Sequence, residues 1–251
     1  DTFTYTVTDS GGVTSTETVT VTIVGAEDAP EITGVTTGGV AEDGTLVATG
    51  TLVASDADAV DNPTFTAQTG VSSTYGIFDI DAAGNWTYTL DNALAQSLEG
   101  GHTATETFTV AATTADGEGV TETVTVIVTG EEDAPVIGGD LAGGVAEDGA
   151  QTISGTMIGS DADADDNPLT FSPQLRARVY GTMENDALGN WTFTLSNPAV
   201  QFLADGETVT DVYVMTAIGP DGEVVTSNVT ITITGTEDAP VITGTASGAV
   251  A

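Results

Sequence analysis

The sequence predicts an all-β protein made of tandem β-sandwich modules joined by short acidic linkers, and three observations predict it. The hexapeptide Gly-x-Glu-Asp-Ala-Pro recurs every 105 residues, as GAEDAP at 25–30, GEEDAP at 130–135 and GTEDAP at 235–240. That period is far longer than a solenoid repeat, so each copy is a domain large enough to own a core. Between the markers, apolar residues alternate with threonine in short runs, the period-2 signature of half-buried strands. Gly, Asn and Asp turns separate these runs, and seven or so strands in about 105 residues is the spacing of a sandwich of immunoglobulin type.

Taken along the chain, the repeat divides the sequence into four pieces. Residues 1–27 supply the C-terminal strands of one repeat, 28–132 and 133–237 are two complete repeats, and 238–251 supply the first strand of another, so the sequence reads as a stretch of a longer array. The strand runs are TFTYTVT at 2–8, ETVTVTIV at 17–24, LVATGTLVA at 46–54, YGIFDI at 75–80, NWTYTL at 85–90, TETFTVAAT at 105–113, ETVTVIVT at 122–129 and NVTITIT at 228–234. Their inward faces are apolar and their outward faces threonine. Ala83-Gly84-Asn85 and Leu188-Gly189-Asn190 precede Trp-Thr-aromatic strands, with Gly free to take positive φ and Asn tolerating it. One helical turn per repeat is expected, at 92–98 and 197–203, where Asn92 or Asn197 can cap it and Pro198 sits at a first-turn position. Adding 105 maps Trp86 onto Trp191, Tyr75 onto Tyr180, Tyr88 onto Phe193 and Leu90 onto Leu195, and these are the expected core.

Composition narrows the function. Thirty-eight acids stand against Arg176 and Arg178 and no lysine, a formal charge of −36. Such a chain repels phosphate backbones and anionic lipid, so no nucleic-acid partner and no direct membrane contact are expected. There is no cysteine, hence no disulfide, thiolate site or cysteine nucleophile. The hydrophobic fraction of 39% with regular alternation favours a folded β protein over an acidic disordered one, and one that binds cations.

The acids themselves are selective in how they repeat. The 105-residue offset maps Glu27 onto Glu132, Asp28 onto Asp133, Glu42 onto Glu147, Asp43 onto Asp148, Asp56 onto Asp161, Asp58 onto Asp163 and Asp61 onto Asp166, with Asp238 the third copy of Asp28. Other acids drift, as Glu31 becomes Val136 and Glu99 becomes Ala204. Fixed carboxylates among drifting ones mark candidate ligands, and hard Ca²⁺ takes six to eight oxygens at about 2.3–2.6 Å. The linker, the AEDG turn and the SDADAVDNP or SDADADDNP loop can share one end of a sandwich and so converge. Unneutralised, a pair of carboxylates at about 4 Å costs up to about 4 kcal/mol at an effective dielectric near 20. The Asp161-Ala-Asp163-Ala-Asp165 run is not an EF-hand: Asp166 stands where that loop needs glycine, and Ser172 where it needs a bidentate Glu. The competing reading is plain acid-rich Asx turns.

Together the EDAP junctions, the AEDG turn, the DADxxDNP loop, the YGxxxxDxxGNWTYTLxN string and the TVTVxVxG strand resemble the VCBS-type, cadherin-like tandem repeats of large bacterial RTX adhesins. The resemblance spans the whole chain. It implies immunoglobulin/cadherin-like sandwich modules acting as extender domains on secreted, type I-exported cell-surface proteins, with Ca²⁺ stiffening the junctions. It assigns the linker Asp to Asp28 or Asp133, the base Glu to Glu42 or Glu147, and the DxD pair to Asp56/Asp58 or Asp161/Asp163. The linker here is shorter than the Asn-rich cadherin form.

The expected function is therefore a non-catalytic, calcium-rigidified spacer that projects a distal binding domain from the bacterial surface and supports adhesion or biofilm formation. Its partners are Ca²⁺, neighbouring repeats and other copies in a fibre. The two alternatives are an adhesive module for glycan, peptide or ice, and a subunit of an extracellular filament. His102, the single histidine, has no nucleophile at triad spacing and reads as a solvated loop residue. Arg176 and Arg178, two apart in a strand, share one face and either pair with acids of a neighbour or stay solvated. The triplets at Asn85, Asn190 and Asn228 match the glycosylation pattern, and turn geometry and strand alternation account for the first two.

Overall fold

The structure, a computed structural model, describes residues 1–58, 61–245 and 248. It is all-β with two short helical turns and one 3₁₀ loop among the described residues. The described chain groups into two compact units, one of residues 1–38, 47–89 and 106–126 and another of residues 39–46, 90–105 and 127–251.

In the first unit, β1 (Thr2–Thr8) and β2 (Thr14–Thr20) form an antiparallel hairpin. Its expected half-burial does not occur: every residue is exposed, with Phe3 at 58%, Tyr5 at 53% and Val19 at 47%. Alternation creates an apolar face, but burial needs a second sheet, and none of the described strands covers this one. The second run also stops early, since residues 21–24 take no strand.

The following strands are β3 (Glu31–Gly34), β4 (Thr37–Ala41), β5 (Val47–Ser55), β6 (Thr64–Phe65), β7 (Gln68–Ser72), β8 (Gly76–Ile80), β9 (Asn85–Leu90), β10 (Thr103–Thr113) and β11 (Gly119–Thr129). They make a five-stranded sheet of order β3-β5-β9-β8-β7 and a four-stranded sheet of order β4-β11-β10-β6. The next repeat gives β12 (Val136–Gly139), β13 (Ala142–Ala146), β14 (Thr152–Ser160), β15 (Thr170–Phe171), β16 (Gln174–Ala177), β17 (Gly181–Asn185), β18 (Asn190–Leu195), β19 (Thr208–Ile218) and β20 (Val224–Thr234). The same order returns, β12-β14-β18-β17-β16 against β13-β20-β19-β15. Here β13 runs parallel to β20, Ala142 opposite Thr230 through Ala146 opposite Thr234. A strand that leaves one sheet and joins the edge of the other closes the sandwich and positions the turn after it.

The two sheets meet in a core built from the alternating inward residues. In the second unit Met157, Met183, Trp191, Phe193 and Leu195 face Tyr213, Met215, Val229, Ile231 and Ile233, all nearly fully buried. In the first unit Phe78 of β8 stacks on Phe108 of β10 at 4.4 Å. Of the expected core, Trp86, Trp191, Tyr88, Phe193, Leu90 and Leu195 are buried, whereas Tyr75 and Tyr180 are half-buried at the rim. Each indole also donates one hydrogen bond to the backbone, Trp86 Nε1 to the Val35 carbonyl at 2.7 Å and Trp191 Nε1 to the Asp140 carbonyl at 2.8 Å.

The hairpin glycines do what the turn requires. Gly84 has φ +86° and Gly189 φ +84°, and a Cβ on Gly84 would lie 2.3 Å from the Leu52 carbonyl oxygen. The helical turns sit where expected, at α1 (Asn92–Ala95) and a 3₁₀ turn over Asn197–Ala199. Their caps differ from expectation: Asp91 accepts from the Ala93 amide, Ser196 occupies the other cap position, and Asn92 and Asn197 are drawn elsewhere. A further 3₁₀ turn, Ala164–Asp166, was not foreseen. Residues 238–245 take no regular structure, and residues 246, 247 and 249–251, where the rest of the expected final strand falls, lie outside the described residues.

Candidate metal centre

The second unit contains the fullest cluster. The turn after β4 is fixed to the end of β11, because the Glu42 amide donates to the Thr129 carbonyl at 3.0 Å. That places the Glu42 side chain in full burial. Its Oε1 accepts from Gln96 Nε2 at 2.5 Å, and its Oε2 accepts a long bond from the Glu131 amide at 3.4 Å. Asp43 takes φ +49°, a left-handed backbone that Asp tolerates at a cost. Asn92 holds it there: its Oδ1 accepts from the Asp43 amide at 2.9 Å while its Nδ2 donates to Asp43 Oδ1 at 2.6 Å.

Linker and loop acids approach from the other direction. The Asp133 amide donates to Asp163 Oδ2 at 2.7 Å, and the Asp163 amide donates to Asp161 Oδ1 at 3.1 Å. Asn167 closes this loop by donating to the carbonyls of Asp161 and Asp163, both at 2.9 Å. The carboxylates of Glu132, Asp163 and Asp166 come within 4.8 Å of one another, as do those of Glu132, Asp221 and Glu223. Asp163 is fully buried and Asp166 nearly so.

No lysine or arginine balances these charges; among the described residues the one ion pair is His102 with Glu99. Burial, then the neighbouring carboxylates Asp133, Asp163 and Asp43, raise the Glu42 carboxyl above the usual range despite the opposing Glu131 amide. Asp133 is raised by burial and by Asp163, Glu132 by burial and by Asp163 and Asp166, and Asp166 by burial and by Asp221. Two buried oxygens, Asp133 Oδ2 and Asp163 Oδ1, have no hydrogen-bond partner at all. An unpartnered buried carboxylate oxygen is costly unless something cationic meets it. The donor set is all oxygen, from side chains of three segments, which suits Ca²⁺.

The turn after β13 repeats the arrangement. The Glu147 amide donates to the Thr234 carbonyl at 2.9 Å, Gln201 Nε2 donates to Glu147 Oε1 at 2.8 Å, and Glu147 Oε2 is buried without a partner. Asp148 has φ +56° and is clamped by Asn197, whose Oδ1 accepts from its amide at 3.2 Å and whose Nδ2 donates to Oδ1 at 2.7 Å. Glu147, Asp148 and Asp238 carboxylates fall within 4.8 Å. Burial, then Asp238 and Asp148, raise Glu147.

In the first unit Glu27, Asp58 and Asp61 bring carboxylate oxygens within 4.8 Å. The Asp28 amide donates to Asp58 Oδ2 at 2.9 Å and the Asp58 amide to Asp56 Oδ1 at 2.9 Å, repeating the Asp133–Asp163–Asp161 relay. Asp56 Oδ2 is buried and unpartnered. Loss of water contact, then Asp58 and Asp61, push Glu27 up to about 7.

Of the fifteen expected acids, Glu27, Asp58, Asp61, Glu132, Asp163, Asp166, Glu147, Asp148 and Asp238 bring carboxylate oxygens within 4.8 Å of one another in their clusters. Asp28, Asp56, Asp133 and Asp161 connect through the amide relays, and Glu42 and Asp43 through the clamped turn. Sequence reasoning missed Asp221 and Glu223, the holding residues Gln96, Gln201, Asn92 and Asn197, and Asn167. The signal was present, since each has a partner 105 residues away: Asp116, Glu118, the two Gln and two Asn with each other, and Asn62. Of the arginines, only Arg176 lies in β16, and Arg178 sits over the Tyr213 ring at 5.4 Å, capping the open edge of the core.

Comparison with known proteins agrees with this architecture. Among solved structures the chain resembles extracellular cadherin domains 1–5 of protocadherin gamma B2 at 13% identity and a TM-score of 0.50, covering 95% of this chain and 46% of that one. Domains 1–4 of PcdhgB3 match at 13% identity and a TM-score of 0.48, covering 93% and 64%. The chain therefore spans about half to two thirds of the length of these structures. No curated protein sequence matches. Cadherin-like domains are extracellular, generally non-catalytic adhesion modules that typically bind Ca²⁺, and no described helix here is long and apolar enough to cross a membrane. The bacterial cadherin-like domain profile matches residues 27–130 and again 132–235, and the chain belongs to that family.

Proposed function

We propose that the chain is a calcium-rigidified, non-catalytic extender segment of a large bacterial cell-surface adhesin, its modules 28–132 and 133–237 spacing a distal binding domain from the cell. The parent protein is of the VCBS-containing RTX type, exported by type I secretion and serving adhesion or biofilm formation. One observation carries the reading: linker Glu132 lies with Asp163 and Asp166, and linker Asp133 lies beside Asp163 and Asp161 of the following repeat and close enough to Glu42 and Asp43 of the preceding one to repel their charge, around buried oxygens that lack partners. Asp221 and Glu223 extend the set. Ca²⁺ held there supplies the missing positive charge and ties three segments to one centre. The cluster of Glu147, Asp148 and Asp238 is the same device one repeat later, and that of Glu27, Asp28, Asp56, Asp58 and Asp61 the one before.

Extracellular sites of this kind have dissociation constants of about 10⁻⁴–10⁻³ M, and at about a hundredfold excess a single site adds roughly 2.7 kcal/mol to stability. Pro30, Pro135 and Pro240 fix one backbone angle and bias the preceding alanine to extended conformation, so each linker is directional before any ion binds. Small-angle scattering and thermal melts in millimolar Ca²⁺ and in EDTA test the proposal. A longer, narrower distance distribution and a higher Tm with calcium are expected; identical profiles in the two buffers would remove it.

A further inference from the structure

One cluster in the second unit stands outside the calcium set. Glu99 and His102 lie in the loop before β10, Asp165 on the 3₁₀ turn after β14, and one ligand atom from each falls within 4.8 Å of the others. His102 Nδ1 is 3.2 Å from Glu99 Oε2. The loop that carries both is firmly framed: the His102 amide donates to the Glu99 carbonyl at 2.9 Å, the Gly101 amide to the Gly130 carbonyl at 3.0 Å, and the Gly130 amide back to the His102 carbonyl at 2.9 Å.

The repeat supplies an independent argument. Sixty-three residues separate His102 from Asp165, yet all three positions depart from the 105-residue pattern: Glu99 corresponds to Ala204, His102 to Glu207 and Asp165 to Val60. The calcium-type acids are retained from copy to copy; these three are particular to one junction, and they are the ones that converge there. A solvated acidic surface gives no reason for a lone histidine to arrive together with two acids from separate loops.

We propose that Glu99, His102 and Asp165 form a second metal site, one that takes a borderline divalent transition ion such as Zn²⁺ rather than Ca²⁺. Imidazole nitrogen is a poor ligand for hard Ca²⁺ but suits Zn²⁺, Cu²⁺ and Ni²⁺, and one His with two carboxylates leaves the fourth tetrahedral position to water. Around Zn²⁺ at about 2.0–2.1 Å the ligand atoms stand about 3.3 Å apart. His102 Nδ1 and Glu99 Oε2 already stand 3.2 Å apart, and one ligand atom from each of the three lies within 4.8 Å of the others. The ion would pin the loop before β10 to the loop after β14, beside Glu132 and Asp166, and so reinforce one junction selectively. The site does not depend on calcium binding at the neighbouring carboxylates.

The test uses the whole chain saturated with Ca²⁺, titrated with Zn²⁺ against a chromophoric chelator and with Co²⁺ by its visible absorption. One equivalent with a tetrahedral Co²⁺ spectrum is expected, weakened at least about tenfold by His102→Ala and also by Asp165→Asn, with the calcium-induced rise in Tm unchanged in both variants. These side chains are exposed at the surface, and each variant's melt in EDTA checks its folding. Undiminished Zn²⁺ binding in His102→Ala, competition of Zn²⁺ with Ca²⁺ for the same equivalents, or no Zn²⁺ binding by the parent chain would each overturn the site.

Discussion

Asn92 and Gln96 show how neutral residues build a charged site. Asp43 needs a left-handed backbone to aim its carboxylate, and the paired hydrogen bonds to Asn92 hold it in a conformation that costs of order 1–3 kcal/mol when unsupported. Gln96 occupies one oxygen of Glu42 and so orients the other. Residues that orient metal ligands typically change affinity by about 10–100-fold when removed. Asn92→Ala and Gln96→Ala are therefore expected to weaken calcium binding by about that factor at the cluster of Glu42, Asp133 and Asp163 alone. Gln201→Ala should do the same at Glu147, Asp148 and Asp238. Calorimetric titration resolves this as the loss of one class of sites per variant; uniform weakening of every class would show that the amides serve folding instead. The carboxylates were legible in the sequence because the acids that converge in the clusters keep their places between copies, while an acid such as Glu31 drifts. The amides repeat at the same offset, but Asn at a helix start reads as a cap, and only the tertiary fold reveals that Asp91 and Ser196 hold the cap positions.

At the scale of elements, the hairpin between β8 and β9 is fixed by backbone rather than by side-chain burial. Gly84→Ala forces a side chain onto a positive φ and into the Leu52 carbonyl and the Phe65 ring, and is expected to cost about 2–4 kcal/mol. Trp86→Ala, which empties the space beneath β5, should cost about 3–5 kcal/mol. Chemical denaturation of each variant checks both numbers, and a Gly84→Ala loss under about 1 kcal/mol would mean that the turn relaxes freely. Strands of this kind were read from alternation because Val and Ile opposite Thr have no helical period. The same alternation misled at β1 and β2, where Phe3, Tyr5 and Val19 form a face with nothing packed on it. Pattern reports which side is apolar; burial depends on a partner sheet that no local run encodes. The 3₁₀ turn at Ala164–Asp166 escaped for a related reason, since an acid-rich loop carries no periodic signal, and its shape comes from Asn167 gathering the carbonyls of Asp161 and Asp163.

For the whole molecule, the net charge of −36 makes stability a function of pH and metal together. Glu27, Glu42, Glu132, Asp133, Glu147 and Asp166 all bind protons more tightly in the folded chain than free carboxyls do. Between the ordinary glutamate value of 4.5 and the value of about 7 reached by Glu27, the folded state therefore carries more protons than the unfolded one. Stability must fall as pH rises through that interval when the two states differ in this sense. Asp81, Asp116 and Asp186 shift the other way, below 3.8, and so act beneath the interval. In EDTA the Tm is expected to decline steadily from pH 4.5 to pH 7. In millimolar Ca²⁺ the sign reverses, because the ion binds the deprotonated set and its affinity grows as the protons leave. The calcium-induced increment in Tm should thus be smallest at the acid end and largest near neutrality. A metal-free Tm that rises toward neutral pH would show that the clustered carboxylates do not repel one another in the folded chain. The premise that a cation must balance them would then fail at every cluster at once.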